Sequence, residues 1–183
     1  MKRLFILLLF FPLYAISQKT NVDEKSEVPS PFEFRLVDSL SLSRSDIYTR
    51  LRTFVAIAFN SAKNVIQMDD KESGKIICKG IMNPILKYRL MGDTVKFKGN
   101  VKFTLQIDVK ENKYRCIMNN FILESNDVED IRPYGSFDNE MPDRSSFRKK
   151  DWLSMKICLK NEVLLFLERI KQEVNRPNVK DDF

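Results

Sequence analysis

The chain changes its hydrophobic period several times, and each change predicts an element. Phe32-Glu33-Phe34-Arg35-Leu36-Val37-Asp38 alternates apolar and polar residues at period two, the pattern of a strand with one buried face. From Asp46 the period lengthens: Ile47, Leu51, Phe54, Ala58 and Ala62 recur at helical spacing, Val55 and Phe59 widen the stripe, and Ser43 or Ser45 can cap the start. Residues 65–69 and 75–82 then read as a hairpin across Asp70-Lys71-Glu72-Ser73-Gly74, and 85–92 as a further edge segment between Pro84 and Gly92.

The clearest alternation follows. Val101, Phe103, Leu105, Ile107 and Val109 oppose Lys102, Thr104, Gln106, Asp108 and Lys110, which predicts a long antiparallel strand. A two-residue turn at Glu111-Asn112 would set Val109 against Tyr114, Ile107 against Cys116, Leu105 against Met118, and Asp108 against Arg115 as a cross-strand ion pair. Residues 125–148 hold no period and are rich in Gly, Pro, Ser and acids, so they predict a long loop, in which Phe137, Met141 and Phe147 can dock on the body. Trp152, Met155, Leu159, Val163, Phe166 and Ile170 mark a last helix, opened near Asp151 and ended before Pro177; Leu164-Leu165-Phe166-Leu167 widens its apolar surface and predicts deep packing on the sheet. The order strand, helix, about four strands, helix predicts an α+β domain with a single antiparallel sheet of about five strands and two amphipathic helices on one face.

The ends of the chain read differently. Met1-Lys2-Arg3 is a short positive region, Leu4 to Leu13 is apolar but for Pro12, and Ala15 and Ser17 supply small residues before Gln18. This is the pattern of an export signal at residues 1–17, and the apolar stretch is shorter than the ~20 residues that span a bilayer. Residues 18–31 then form a polar spacer, 32–174 the domain and 175–183 a tail. The expected location is periplasmic or extracellular, in a Gram-negative-type envelope, with no transmembrane segment once the signal is removed.

Composition narrows the chemistry. The formal charge is +6, two units of which leave with Lys2 and Arg3, and the remaining bases interleave with acids rather than gathering on one element, which argues against a nucleic-acid reader. Histidine is absent, and that single fact excludes Ser-His-Asp and Cys-His catalysis and His-ligated zinc. Cys78, Cys116 and Cys158 lie far apart inside apolar segments without metal-ligand spacing; buried thiols are the plainest reading, and a disulfide between two of them stays open. The carboxylate groups Asp69-Asp70, Asp127, Glu129-Asp130 and Asp138 with Glu140 fall in turns, where neither a raised pKa nor a calcium loop is expected. A carboxylate-based hydrolase is thus a minor alternative, and no catalytic residue, metal or cofactor is expected.

The run Asp46-Ile47-Tyr48 with Arg50-Leu51-Arg52-Thr53-Phe54-Val55-Ala56, then Val65-Ile66-Gln67-Met68-Asp69-Asp70 and Gly74-Lys75-Ile76, resembles an uncharacterised exported bacterial domain of unknown function with TBP-like fold. Phe103 to Lys110 and Lys113-Tyr114-Arg115 fit the same family, which covers residues 34 to 124. The resemblance implies a strand, helix, four-strand, helix unit similar to one half of the TATA-box-binding protein, in a secreted or periplasmic setting. It implies no activity and carries over no functional residue.

The expectation that remains is a binding or protein-interaction domain of the envelope, with a small-ligand carrier as the alternative. Its contact surface would be the sheet face turned away from the helices, with Gln67, Lys79, Thr104, Gln106 and Asn119 as polar contacts and Phe121 as the aromatic one, joined by Ile117 and Leu123. The long loop or the 85–92 segment could instead fold back over that face. The partner would be an envelope protein or a small ligand, not nucleic acid.

Overall fold

The structure is a computed structural model that describes residues 28–59, 62–125, 132–144 and 147–177. The expected signal at 1–17, most of the spacer, the acids Asp127, Glu129 and Asp130, and residues 178–183 lie outside the described residues.

The elements run β1 (Phe34–Ser39), α1 (Arg44–Ala58), α2 (Ala62–Val65), β2 (Ile66–Asp70), β3 (Lys75–Met82), β4 (Ile85–Leu90), β5 (Asp93–Lys98), β6 (Asn100–Lys110), β7 (Lys113–Glu124), β8 (Gly135–Ser136) and α3 (Lys149–Asn175). The main sheet has the order β1-β7-β6-β3-β2, with the short β8 also paired to β7, so it is antiparallel and six-stranded rather than five. α1 and α3 touch each other and pack on the same side of it.

Local chemistry sets the boundaries. Ser43 caps α1: its Oγ accepts from the Asp46 backbone N–H at 3.1 Å and donates to the Asp46 carboxylate at 2.7 Å. α1 closes at Ala58, earlier than the stripe predicted, and Ala62 opens a separate turn of helix. At the start of α3 the buried Asp151 carboxylate accepts from the Arg148 backbone N–H at 3.2 Å and from its Nε at 2.7 Å. At the other end Arg50 of α1 donates to the Val174 carbonyl at 2.7 Å and so satisfies one of the last open acceptors of α3. Gly74 turns β2 into β3 with φ of 70°; a Cβ there would lie 2.5 Å from the Val109 carbonyl, so only glycine fits.

The core lies between sheet and helices. A line of aromatic rings crosses it, from Phe59 to Phe103, Phe121, Phe32, Phe137 and Trp152, ending in a stacked pair at 4.6 Å and 5°. The loop ring Phe137 is thereby fully buried and docks as expected, as does Phe147, whereas Met141 remains exposed. The Trp152 indole N–H donates to the Asn139 carbonyl at 3.1 Å, which ties the same loop to α3.

Two expectations fail here. Residues 85–92 are not an edge of the main sheet: β4 pairs with β5 in its own hairpin, and Leu86, Tyr88 and Phe97 turn inward toward α3, Phe147 and Tyr134. Leu164 and Leu165 are not deeply packed but stand exposed, because the helix turns its buried stripe through Val163, Leu167 and Ile170.

Candidate functional site

β6 and β7 position the site through the register that the Glu111-Asn112 turn sets. Val109 faces Tyr114, Asp108 faces Arg115, Ile107 faces Cys116 and Leu105 faces Met118, each as the sequence predicts. The even positions of β6 therefore point away from the helices and align with their neighbours in rows across the sheet. Asp70, Lys75, Asp108, Arg115 and Val37 form one row; Met68, Ile77, Gln106, Ile117 and Arg35 the next; then Lys79, Thr104 and Asn119; then Ile81, Lys102 and Ile122.

Three of the bases on or beside this face are answered by acids. Arg115 grips Asp108 through Nη2 at 2.7 Å and Nε at 3.2 Å, and Gln106 donates to the same carboxylate at 3.0 Å. Burial pushes the Asp108 carboxyl up, but the hydrogen bonds from Arg115 and Gln106 outweigh it and hold the group below its ordinary value. Glu33 is likewise held low, first by the Asn119 amide at 3.1 Å and then by Arg35 at 2.6 Å. Lys102 pairs with Glu124 at 2.6 Å.

Lys79, Thr104, Gln106 and Asn119 are therefore brought together, as expected, on three adjacent strands. Gln67 is not: it occupies a bulge between Ile66 and Met68, and its amide donates back to the Asn64 carbonyl at 3.5 Å. Phe121 is not either. A second bulge sets Asn120 and Phe121 of β7 against the single residue Phe103 of β6, and Asn120 takes a left-handed φ of 54°. The extra residue reverses the parity of everything after it, so Phe121 and Leu123 turn into the core, fully buried, and Ile122 takes the place on the open face.

Sequence reasoning missed the bulge and the residues it delivers, Asn120 and Ile122. A signal existed: Asn119-Asn120 interrupts an apolar strand with residues poor in β propensity, and asparagine is the side chain that best tolerates a left-handed backbone. Beside the bulge the face dips into a broad, open depression of about 510 Å³ lined by Lys79, Ile81, Lys102, Thr104, Asn120 and Ile122. Among the described residues, neither expected cover lies over it. The β4–β5 hairpin packs against α3, and among the described residues of the long loop Tyr134, Phe137 and Phe147 pack into the core.

The acids expected in turns have structural partners instead. Asp69 receives the Tyr48 hydroxyl and Arg52 Nε, the latter at 2.7 Å; these contacts outweigh the upward push of burial and hold its pKa down. Asp70 accepts from the Ser73 backbone N–H at 3.0 Å, Asp138 from the Phe32 backbone N–H at 2.8 Å, and Glu140 pairs with Lys149 at 2.7 Å. No grouping of three metal-ligating side chains occurs among the described residues. All three cysteines are free. Cys78 on β3 and Cys116 on β7 are separated by β6, so about 9–10 Å of sheet divides them, too far for a disulfide, and burial pushes the Cys78 thiol up to about 12.

Residues 34–123 match the family described as a domain of unknown function (DUF4468) with TBP-like fold. A DUF4468 family protein from Bacteroides ovatus superposes with a TM-score of 0.61 at 9% identity, over 81% of this chain and 88% of its own. A TBP-like protein from Parabacteroides distasonis superposes with a TM-score of 0.53 at 10% identity, over 77% and 92%. At such identities the likeness speaks for the fold alone. No curated protein matches the chain.

Proposed function

Because residues 34–123 of this chain belong to the DUF4468 family, a domain of unknown function with TBP-like fold, we propose a role argued from its surface: a non-catalytic binding or protein-interaction domain that works through the open face of its sheet. The reading includes export by residues 1–17 and a partner in the periplasm or outside the cell. One observation carries it. Val37, Met68 and Ile81 stand 64%, 43% and 54% exposed on that face, and no described segment covers them.

The internal pairing of Arg115 with Asp108, Arg35 with Glu33 and Lys102 with Glu124 leaves a surface of mixed polarity with little unanswered charge. Such a surface suits a protein interface better than a polyanion, whose binding needs bases free of acids. Catalysis is disfavoured by the carboxyls, since among the described residues each one with a clear shift, Glu33, Asp69, Asp70, Asp108, Glu140 and Asp151, moves down and not toward a general acid's range.

A small-ligand carrier is the second reading, favoured by the depression beside Asn120, where Lys79 and Thr104 offer polar contacts and Ile81 and Ile122 apolar ones. A photo-crosslinking residue at Thr104 and, separately, at Glu162 on the exposed side of α3 tests the site. Adducts from position 104 alone, abolished by an added Ile81→Arg change, support the open face. Adducts from Glu162 alone, or adducts indifferent to Ile81→Arg, refute it, and a small-molecule adduct at 104 favours the carrier.

A further inference from the structure

The β4–β5 hairpin contradicts three local rules at once, and it does so on the side that the core does not use. Its inward residues Leu86, Tyr88 and Phe97 anchor it to α3 and the Tyr134 and Phe147 rings. Its outward register sets Lys87 directly opposite Lys96, with Arg89 opposite Thr94 on one side and Ile85 opposite Lys98 on the other. Like charges across a ladder repel, and the hairpin sets no acid of its own opposite Lys87 or Lys96; its acid, Asp93, pairs with Leu90 on the other side of the ribbon. The tip is Met91-Gly92, with φ of 51° and 98°, both positive as a type I′ turn requires. Asn-Gly is the sequence that turn prefers; here a methionine bears the left-handed strain and is 97% exposed, beside Leu90 at 47%.

The like-charge pair and the left-handed methionine cost stability rather than adding to it. A cluster of cations behind an exposed apolar tip is complementary to one kind of surface, in which anionic groups lie at the boundary of a hydrocarbon layer. We propose that the β4–β5 hairpin is a membrane-contact finger, with Lys87, Arg89 and Lys96 on the headgroups of an anionic lipid surface and Leu90 and Met91 entering the interface. This site lies on a different element from the open sheet face and stands independently of it. An acidic polymer would use the cations but have no use for Met91.

The test uses the full chain and a probe at the tip, so that lipid binding by other segments does not enter the readout. Trp152 is the only tryptophan and is fully buried, so Met91→Trp adds a single reporter. With phosphatidylglycerol-containing vesicles its emission should shift to the blue and be quenched by brominated acyl chains, and pure phosphatidylcholine should leave it unchanged. Lys96→Glu exchanges the repulsive pair for an attractive one, so it should leave the fold intact yet weaken vesicle affinity, read from a titration of that signal, by about 25-fold, at about five-fold per unit of charge. Met91→Asn should raise the thermal midpoint while weakening vesicle binding, as expected of a residue kept at the turn against stability. The proposal is overturned by a tryptophan at 91 that stays unquenched, by quenching indifferent to Lys96→Glu, or by a tip that responds to polyglutamate or DNA as strongly as to the vesicles.

Discussion

The two halves of β7, before and after Asn120, belong to one strand in one sheet yet obey opposite rules. From Lys113 to Asn119 the even positions Tyr114, Cys116 and Met118 fill the core; from Phe121 to Leu123 the odd positions do. The difference is a single left-handed residue. It shows that side-chain parity is a property of uninterrupted pairing, and that one added residue moves a phenylalanine from a candidate contact surface to the centre of the core.

The largest effect comes from truncating a side chain that the bulge turns into the core, set beside one that stands on the open face. Phe121→Ala should cost about 3–5 kcal/mol, because the ring contacts Phe32, Phe34 and Phe103 and the cavity cannot collapse against a sheet. Val37→Ala on the open face should stay within about 0.5 kcal/mol, since a side chain that is mostly exposed leaves no cavity. Chemical denaturation of both variants checks the contrast, and equal losses would mean that the parity switch is wrong.

The bulge itself is the next target. Asn120→Val places a β-branched residue at positive φ and should lose about 1–2 kcal/mol, whereas Asn120→Gly should be neutral or slightly stabilising. Equal costs for the two would show that the asparagine side chain, not its backbone, holds the bulge.

A smaller effect separates the charged pairs from the apolar core. Glu33, Asp69 and Asp108 have folded pKa values below their ordinary 4.5 and 3.8, so the stability they contribute is complete above those values and is lost as pH falls through the folded ones. The thermal midpoint should therefore be flat above about pH 5 and decline below about pH 4. Arg115→Gln, which leaves the core untouched, should flatten part of that decline; an unchanged acid limb would remove Asp108 from the account. The smallest expected change is Ile81→Ser, within about 0.5 kcal/mol for folding, since the side chain is largely exposed. It should nevertheless weaken any partner captured on the open face, and full retention of that partner would point to another surface.

Much of the fold is legible in the residues. The alternation from Val101 to Val109, the Glu111-Asn112 turn and the helical stripes of α1 and α3 fix element type, order and the first part of the β6–β7 register, because each rests on local geometry that repeats every two or 3.6 residues. Of the candidate site, Thr104, Gln106 and Asn119 follow from that register, and the pairing of β3 with β6 brings Lys79 beside them. Gln67 and Phe121 do not, and both failures fall at bulges, where pairing with a neighbouring strand and not the strand's own sequence decides which way a side chain points.

The order of residues alone was enough to say which side chains can be buried, what catalysis a chain without histidine cannot perform, and that two amphipathic helices fit one side of an antiparallel sheet. Packing in three dimensions was needed to pair β4 with β5 away from the sheet, to put Phe121 in the line of rings ending at Trp152, and to gather three cations behind Met91. Periodicity is written into consecutive residues, whereas bulges, separate hairpins and charge clusters arise from contacts between residues far apart in the chain, whose competing packing energies no local pattern encodes.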